Sequence, residues 1–519
     1  MSSHSTPSSA SAGTPVARAQ QIAAGYAVEG QALELGTVVV DGTTDPAAQI
    51  RIPLATVNRH GLVAGATGTG KTKTLQVIAE QLSAAGVPVL MADVKGDLSG
   101  LSRPGESNDK TAARAKETGD KWEASAFPVD FLSLGTKGIG VPVRATIASF
   151  GPILLSKVLG LNSTQESTLG LIFHWAGQQD YELLDLKDLR AVIGYLTSDQ
   201  GKTELKSLGG VSAQTAGVIL RALVNLEAEG ADTFFGEPEL KPKDLLRFDD
   251  KGRGVISLLE LGDQAARPVL FSTFLMWVLS DLFKSLPEIG DVDKPKLVFF
   301  FDEAHLLFTE ASKAFLEQVE QTVKLIRSRG VGVFFCTQLP TDVPNEVLSQ
   351  LGARIQHALR AFTPDDQQAL TKTVRTYPKT DVYDLASALT SLGIGEAVVT
   401  VLSERGAPTP VAWTRLRSPR SLMAAIGDDA ISAAAKGSPL QATYGETKDR
   451  ESAYEKIQAK IAQAAADQPA EAGSKSPAAA NKPGWWKRFV NSRGFQTFLK
   501  ALGTELIRGM FGGGGRRRR

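Results

Sequence analysis

The chain is predicted to be an α/β protein with a mostly parallel central sheet, and three stretches predict it. The first is Gly65-Ala66-Thr67-Gly68-Thr69-Gly70-Lys71-Thr72, a G-x-x-x-x-G-K-T sequence between a short apolar run and a helical pattern. The second is Leu297-Val298-Phe299-Phe300-Phe301, an apolar run that ends at Asp302-Glu303. The third is Val331-Gly332-Val333-Phe334-Phe335-Cys336, which ends at Thr337-Gln338. Continuous apolar runs of this kind suit strands buried on both faces, as the central strands of parallel sheets are.

The glycine-rich stretch has the spacing of a phosphate-binding loop, or P-loop. Its glycines let successive backbone N–H groups turn into one nest for phosphate oxygens. Lys71 would reach the terminal phosphates, and the Thr72 hydroxyl would bind Mg²⁺. Gly61-Leu62-Val63-Ala64 before it reads as a strand. Leu75, Ile78, Ala79 and Leu82 after it recur at helical spacing, with Gly86 as the stop. Val87 to Ala92 is a second strand that ends at Asp93. Strand, loop, helix and strand put the phosphates on a helix N-terminus. Residues Gly65, Ala66, Thr67, Gly68, Thr69, Gly70, Lys71 and Thr72 are therefore the candidate nucleotide site.

Composition sets outer limits. The chain has 519 residues, 42% hydrophobic and 22% charged, an ordinary globular balance. It has no apolar run of about eighteen residues, so no spanning helix is expected. The Ser/Ala/Thr-rich start lacks the apolar core of a signal peptide, and a cytoplasmic location is expected. A single cysteine, Cys336, excludes an intrachain disulfide and a cysteine-based metal cluster. It is expected to be a small buried hydrophobe. Net charge is +1, but residues 482–519 carry +9 and the rest −8. The body therefore does not advertise nucleic-acid binding by bulk charge.

In chain order, residues 1–24 are low-complexity and expected to be disordered. A core spans 25–420. It opens with a β-hairpin from Tyr26 to Leu54 that turns at Asp41-Gly42. Asp93, Lys95 and Asp97 lie at the carboxyl end of the second core strand, the edge that carries ligands in open α/β sheets. Residues 103–124 read as an exposed charged connection. Residues 146–247 carry helical patterns and no clear strand, and are expected to form a helical insertion. His174 and Trp175 within it read as core. A strand at Gly254–Leu259 and a helix from about Arg267 to Leu286 follow.

Asp302 and Glu303 sit where a buried strand ends, a costly place for two carboxylates unless a cation or nucleotide uses them. Asp302 is expected to hold Mg²⁺ and Glu303 to polarise the attacking water as general base. Ala304-His305 completes the letters D-E-A-H, but the companion motifs of the helicase box of that name are missing. After a helix from about Ala311 to Arg329, Gln338 ends the next strand, where it would contact the γ-phosphate or the lytic water. A strand between the P-loop strand and the Asp302 strand is the layout of RecA-like P-loop ATPases. In a ring, an arginine from a neighbour stabilises charge on the transferred phosphoryl group. Arg354 and Arg360 are the candidates, with Arg267 and Arg329 behind them. Two strands, Glu396–Leu402 and Pro410–Leu416, close the core. Residues 421–483 are an Ala-rich helical segment and linker. Residues 484–519 form a basic amphipathic tail with an apolar stripe from Phe495 to Met510. Such a tail suits an anionic membrane, a nucleic acid or a protein partner equally.

The segments G-A-T-G-T-G-K-T, D-V-K-G-D, V-F-F-F-D-E-A-H, R-S-R-G-V-G-V-F-F-C-T-Q-L-P and L-G-A-R together resemble the HerA/FtsK branch of P-loop motors. Within that branch the chain is most similar to the HerA-like C-terminal-domain proteins, over roughly Gly30 to Pro419. The resemblance implies a RecA-like fold, Mg-ATP hydrolysis, a hexameric ring and double-stranded DNA translocation. It assigns Lys71 and Thr72 to nucleotide and Mg²⁺, Asp302 and Glu303 to the Walker B pair, and Gln338 to the sensor. Where HerA proper has an N-terminal β-barrel, only the short hairpin is predicted. The winged helix and membrane region of FtsK are not apparent. The alternative expectation is an ATPase that remodels a protein partner or works at a membrane surface through the tail.

Overall fold

The computed structural model describes residues 13–93, 96–136, 138–204, 209–261, 268–290, 292–309 and 313–466. Twelve strands form one sheet: β1 (Ala32–Val40), β2 (Thr43–Pro53), β3 (Gly61–Ala64), β4 (Val89–Asp93), β5 (Val129–Leu134), β6 (Val141–Val143), β7 (Ile256–Glu260), β8 (Leu297–Phe301), β9 (Val331–Thr337), β10 (Ala353–Gln356), β11 (Glu396–Thr400) and β12 (Ala412–Leu416). Their order is β2-β1-β12-β11-β10-β3-β9-β8-β4-β7-β5-β6. From β10 through β6 every pairing is parallel. From β10 to β2 every pairing is antiparallel. The central strands β3, β4, β7, β8 and β9 are buried at every position. Two covered faces explain their unbroken apolar runs. β9 lies between β3 and β8, so the expected mostly parallel sheet and its extra strand are both present.

The hairpin turns at Asp41-Gly42, with φ of +51° and +74°. Two positive φ values in a two-residue turn match the twist of the flanking strands. The hairpin is not a free-standing unit. β1 pairs with β12 from Gly36↔Leu416 to Val38↔Thr414 and so extends the main sheet.

Three expectations change. Residues 15–24, expected to be disordered, form a helix, Pro15–Ala24. Thr14 caps it, Pro15 starts it, and Ala19 and Ile22 are buried. Apolar spacing inside a low-complexity composition was enough to dock it. Residues 103–124 contain the helix Asp109–Thr118, started by a reciprocal cap between Asn108 and Thr111. That cap pairs Asn with Thr rather than the usual Ser or Thr with Glu. Residues 421–466, expected outside the core, enter it: Ile431, Ala435, Leu440, Tyr444 and Ile457 belong to the main buried cluster. The Tyr444 carbonyl accepts from Nη1 of the buried Arg144 at 2.9 Å.

Between β6 and β7 lie the helices Ile147–Val158, Ser163–Gln178, Leu186–Leu196 and Ala213–Ala228. Trp175 is buried there, whereas His174, expected in the core, is exposed. Residues 467–483 and the tail at 484–519 lie outside the described residues, as do residues 1–12, Lys95 and Arg267. Among the described residues no helix is long and apolar enough to cross a membrane.

Candidate active site

The P-loop connects β3 to the helix Lys71–Ala84, whose N-cap is Gly70 at φ +112°. Leu75, Ile78, Ala79 and Leu82 bury the helix against the sheet. Gly65 and Gly68 also have positive φ, +150° and +81°, a backbone that L side chains resist. Lys71 is buried. Its Nζ donates to the carbonyls of Gly65 at 2.7 Å and Ala66 at 3.3 Å. The ammonium thus rests on the loop that would receive a phosphate. Thr72, in the first helical turn, is half-buried, and Thr69 Oγ1 donates to the Ala66 carbonyl at 2.7 Å.

The carboxylates come from the end of β8. Asp302 and Glu303 are both buried. Asp302 Oδ1 accepts from the Glu303 N–H at 2.9 Å, and Glu303 Oε2 lies 3.4 Å from His305 Nδ1. Glu303 has φ +46°, a left-handed backbone that a glutamate seldom adopts and that turns the chain sharply after the strand. Cys336 lies on β9, which pairs in parallel with β3 on one side and β8 on the other, so the two motifs flank it. Burial pushes its thiol well up, Asp302 and Glu303 push it further, and Lys71 pulls it down. The P-loop lysine and both β8 carboxylates therefore act electrostatically on one buried thiol.

Gln338 follows β9 and is exposed. Asp342 fixes its neighbours: Oδ2 accepts from Thr337 Oγ1 at 2.6 Å and from the Leu339 N–H at 2.9 Å. Gln338 lines two clefts. One, of about 340 Å³, includes Ala66, Thr67, Leu359 and Arg360. The other, of about 410 Å³, includes His305, Phe308 and Asp342.

The carboxyl ends of β4 and β7 add an acidic group beside the site. Asp93 Oδ1 and Oδ2 accept from the N–H groups of Gly96 at 2.7 Å and Leu98 at 2.8 Å. Glu260, paired in register with Asp93, is buried. Burial first, then the charges of Asp93, Asp428 and Asp97, push its carboxyl up to about 8. Burial lowers the Lys73 ammonium below its usual range, against the opposing pull of Asp97, Asp93 and Glu80.

The family described as "Helicase HerA-like C-terminal" matches residues 39–519. The chain belongs to that family. The HerA-like match runs well past Pro419, where the sequence resemblance ended. A curated relative, the DNA double-strand break repair helicase HerA of Saccharolobus solfataricus, is 22% identical over 397 residues, 75% of this chain and 70% of the relative. A probable helicase of Methanocaldococcus jannaschii, MJECL08, is 31% identical over 153 residues, 28% of this chain and 27% of the relative. Among solved structures, the unbound bacterial conjugative coupling protein TrwBdeltaN70 superposes with a TM-score of 0.51 at 16% identity, covering 78% of this chain and 94% of that one. That likeness shows the fold: a RecA-like P-loop NTPase. As a member of this family with an intact phosphate loop, the HerA-like chain is a P-loop ATPase.

The arginine candidates separate in the folded HerA-like chain. Arg354 is half-buried on β10 and donates to the Thr376 carbonyl at 3.4 Å. Arg329 donates to the Leu286 carbonyl at 2.7 Å and lies 4.9 Å over the Phe283 ring. Arg360 is exposed in the cleft beside Ala66 and Thr67.

Sequence reading missed the residues that brace the loop. His357 is fully buried, and its Nε2 lies 2.9 Å from Thr74 Oγ1 on the P-loop helix. Burial and the nearby Lys71 ammonium push its imidazole down to about 4, against the raising effect of the Thr69 and Glu396 carbonyls. On the other flank, the Gly395 N–H donates to the Thr69 carbonyl at 3.0 Å. Arg114 Nη1 holds that turn through the carbonyls of Gly395 at 3.0 Å and Leu416 at 2.9 Å. A histidine inside an apolar run was the one visible signal for His357. Arg114 offered none.

Proposed function

We propose that the chain hydrolyses Mg-ATP at this site and uses the cycle to move along double-stranded DNA as a homo-oligomeric, hexameric ring. The observation that carries the reading is the placement of the Lys71 loop and the Asp302-Glu303 pair at the carboxyl ends of β3 and β8, the two parallel strands that flank β9. In this reading the loop N–H groups and Lys71 bind the phosphates. Glu303 takes the proton of the attacking water, and Gln338 orients that water or the terminal phosphate. The donors available to Mg²⁺ are the Thr72 hydroxyl and the Asp302 carboxylate. These are hard oxygens, few in number, and leave coordination places for phosphate and water, which is how Mg²⁺ is usually held. The ion would add positive charge at the terminal phosphates.

Duplex DNA as the substrate draws support from the Saccharolobus relative, named as a double-strand break repair helicase. A second reading draws on the charge split, +9 in residues 482–519 and −8 elsewhere. In it the ATPase remodels a protein partner or works at a membrane surface through the 484–519 tail. Steady-state ATP hydrolysis, with and without duplex DNA across a salt series, separates the two. Stimulation that fades as salt rises is expected for a DNA motor, since phosphate contacts release counterions. Hydrolysis indifferent to DNA at low salt would favour the second reading. If DNA is gripped through the tail alone, a chain ending near Pro469 loses DNA binding and keeps hydrolysis.

A further inference from the structure

The segment after β10 runs beside the P-loop of the same chain, and it ends on an arginine whose partner is not accounted for. β10 pairs with β3 as far as Gln356↔Ala64. The pairing then continues beyond both strands. The His357 N–H donates to the Ala64 carbonyl at 2.7 Å, and the Ala66 N–H donates to the Ala358 carbonyl at 2.8 Å. His357 locks this register, with its ring on Thr74. A Cβ added to Gly65 would lie only 2.5 Å from the His357 Cβ, so the two segments are in direct contact. The Leu359 N–H donates to the Leu389 carbonyl at 2.8 Å and fixes the outer side. Arg360 is the next residue. It is exposed and takes part in no hydrogen bond or ion pair among the described residues. Its cleft is shared with Ala66, Thr67 and Gln338.

Lys71 marks which end of the loop this is, because its ammonium rests on the Gly65 and Ala66 carbonyls. The cleft therefore opens where the terminal phosphates would lie. A guanidinium is a planar fork matched to phosphate oxygens. We infer that Arg360 contacts the terminal phosphate of the nucleotide bound by its own chain, acting in cis and not as a finger into a neighbouring subunit. The inference rests on the ATP-hydrolysis reading above and differs from the expectation that Arg360 reaches across a ring. A cation on the terminal phosphate has a plain consequence: the site distinguishes ATP from ADP through it.

The test uses the full-length chain carrying Arg360→Ala or Arg360→Gln. Binding of ADP and of a non-hydrolysable ATP analogue is measured, together with turnover. Arg360→Ala is expected to lose roughly tenfold or more in affinity for the ATP analogue, as for a lost charged hydrogen bond. ADP affinity is expected to change by less than about twofold, since the contact is to the missing phosphate. Turnover falls, and mixing with Glu303→Gln subunits does not restore it. Unchanged affinity for the ATP analogue overturns the contact. Restored turnover in the mixture overturns the cis assignment, because it requires an arginine supplied by the neighbour. Should the alanine variant lose ADP as well, Arg360→Gln decides, because it keeps the length and removes the charge: weakened ATP-analogue binding with ADP binding intact upholds the contact, and wild-type binding of both sinks it. A wild-type protein that does not turn over ATP would sink the broader reading instead.

Discussion

At the scale of single residues, the P-loop glycines make the sharpest demands. Gly65 has φ +150° and no room, because a Cβ would meet His357 at 2.5 Å. Gly68 has φ +81° but open space around it. Gly68→Ala should therefore cost only backbone strain, about 1–2 kcal/mol. Gly65→Ala adds a clash between two buried segments and is expected to weaken nucleotide binding far more, which titration of both variants checks. Equal losses would show that the His357 contact does not shape the loop. Glu260 gives a second residue-scale expectation. Its folded carboxyl titrates near 8, well above an ordinary glutamate. Between the two values the unfolded chain is ionised and the folded chain is not, so this group's contribution to stability falls as pH rises from about 4.5 to about 8. Glu260→Gln removes the effect. The melting midpoint of the variant relative to wild type should climb across that window and level off above it. A difference that stays flat with pH would contradict the assignment. The Lys71 and Asp302-Glu303 motifs were legible in the sequence because their chemistry is carried by contiguous residues. His357 and Arg114 were not, because each works on a segment brought close only by folding. His357 and Thr74, for example, are 283 residues apart.

At the scale of elements, the loop is braced from both flanks. His60, just before β3, does similar work below it. Its Nε2 is 2.7 Å from the Val323 carbonyl, and its Nδ1 accepts from the Val333 N–H at 3.0 Å. One ring therefore ties the P-loop strand to β9 and to the helix Lys313–Ile326, and this pairing needs the neutral imidazole with its proton on Nε2. Burial lowers its pKa to about 4. The unfolded histidine, titrating near 6.5, takes up a proton first as pH falls, so stability is lost between about 6.5 and 4. His357 adds to the loss in the same window. Glu260 acts in the opposite sense over this window, so the test is a difference: the melting midpoint of His60→Gln relative to wild type should rise as pH falls from 7 to 4.5. Parallel slopes in the two proteins would remove His60 from the account. The central strands were legible because burial on both faces writes an unbroken apolar run. The helix Asp109–Thr118 was not, because its exposed face is charged and its cap is an Asn–Thr pair.

At the scale of the whole molecule, one sheet joins the described chain, and a segment at each end secures it, of which the sequence placed only residues 421–466 outside the core. The hairpin covers one end through β12. Residues 421–466 return to the main core, burying Ile431, Leu440, Tyr444 and Ile457. Each such side chain stabilises by about 1.5–3 kcal/mol, and a whole domain by about 5–15 kcal/mol. A chain ending at residue 466 keeps this segment and serves as the reference. One ending at residue 420 is expected to lose cooperative unfolding and expose apolar surface, visible by thermal melting and dye binding. Equal melting of the two would show that the segment is only appended. Its composition, rich in alanine, hid these few large residues.

The most direct test of the central claim compares wild type with Glu303→Gln for ATP binding and single-turnover hydrolysis. The substitution keeps the size of the side chain at φ +46° and removes only its ability to accept a proton. Retained nucleotide binding with hydrolysis slowed by about 10²–10⁴-fold is expected for the loss of a general base. Hydrolysis at the wild-type rate would show that the P-loop and the β8 carboxylates are not the catalytic centre.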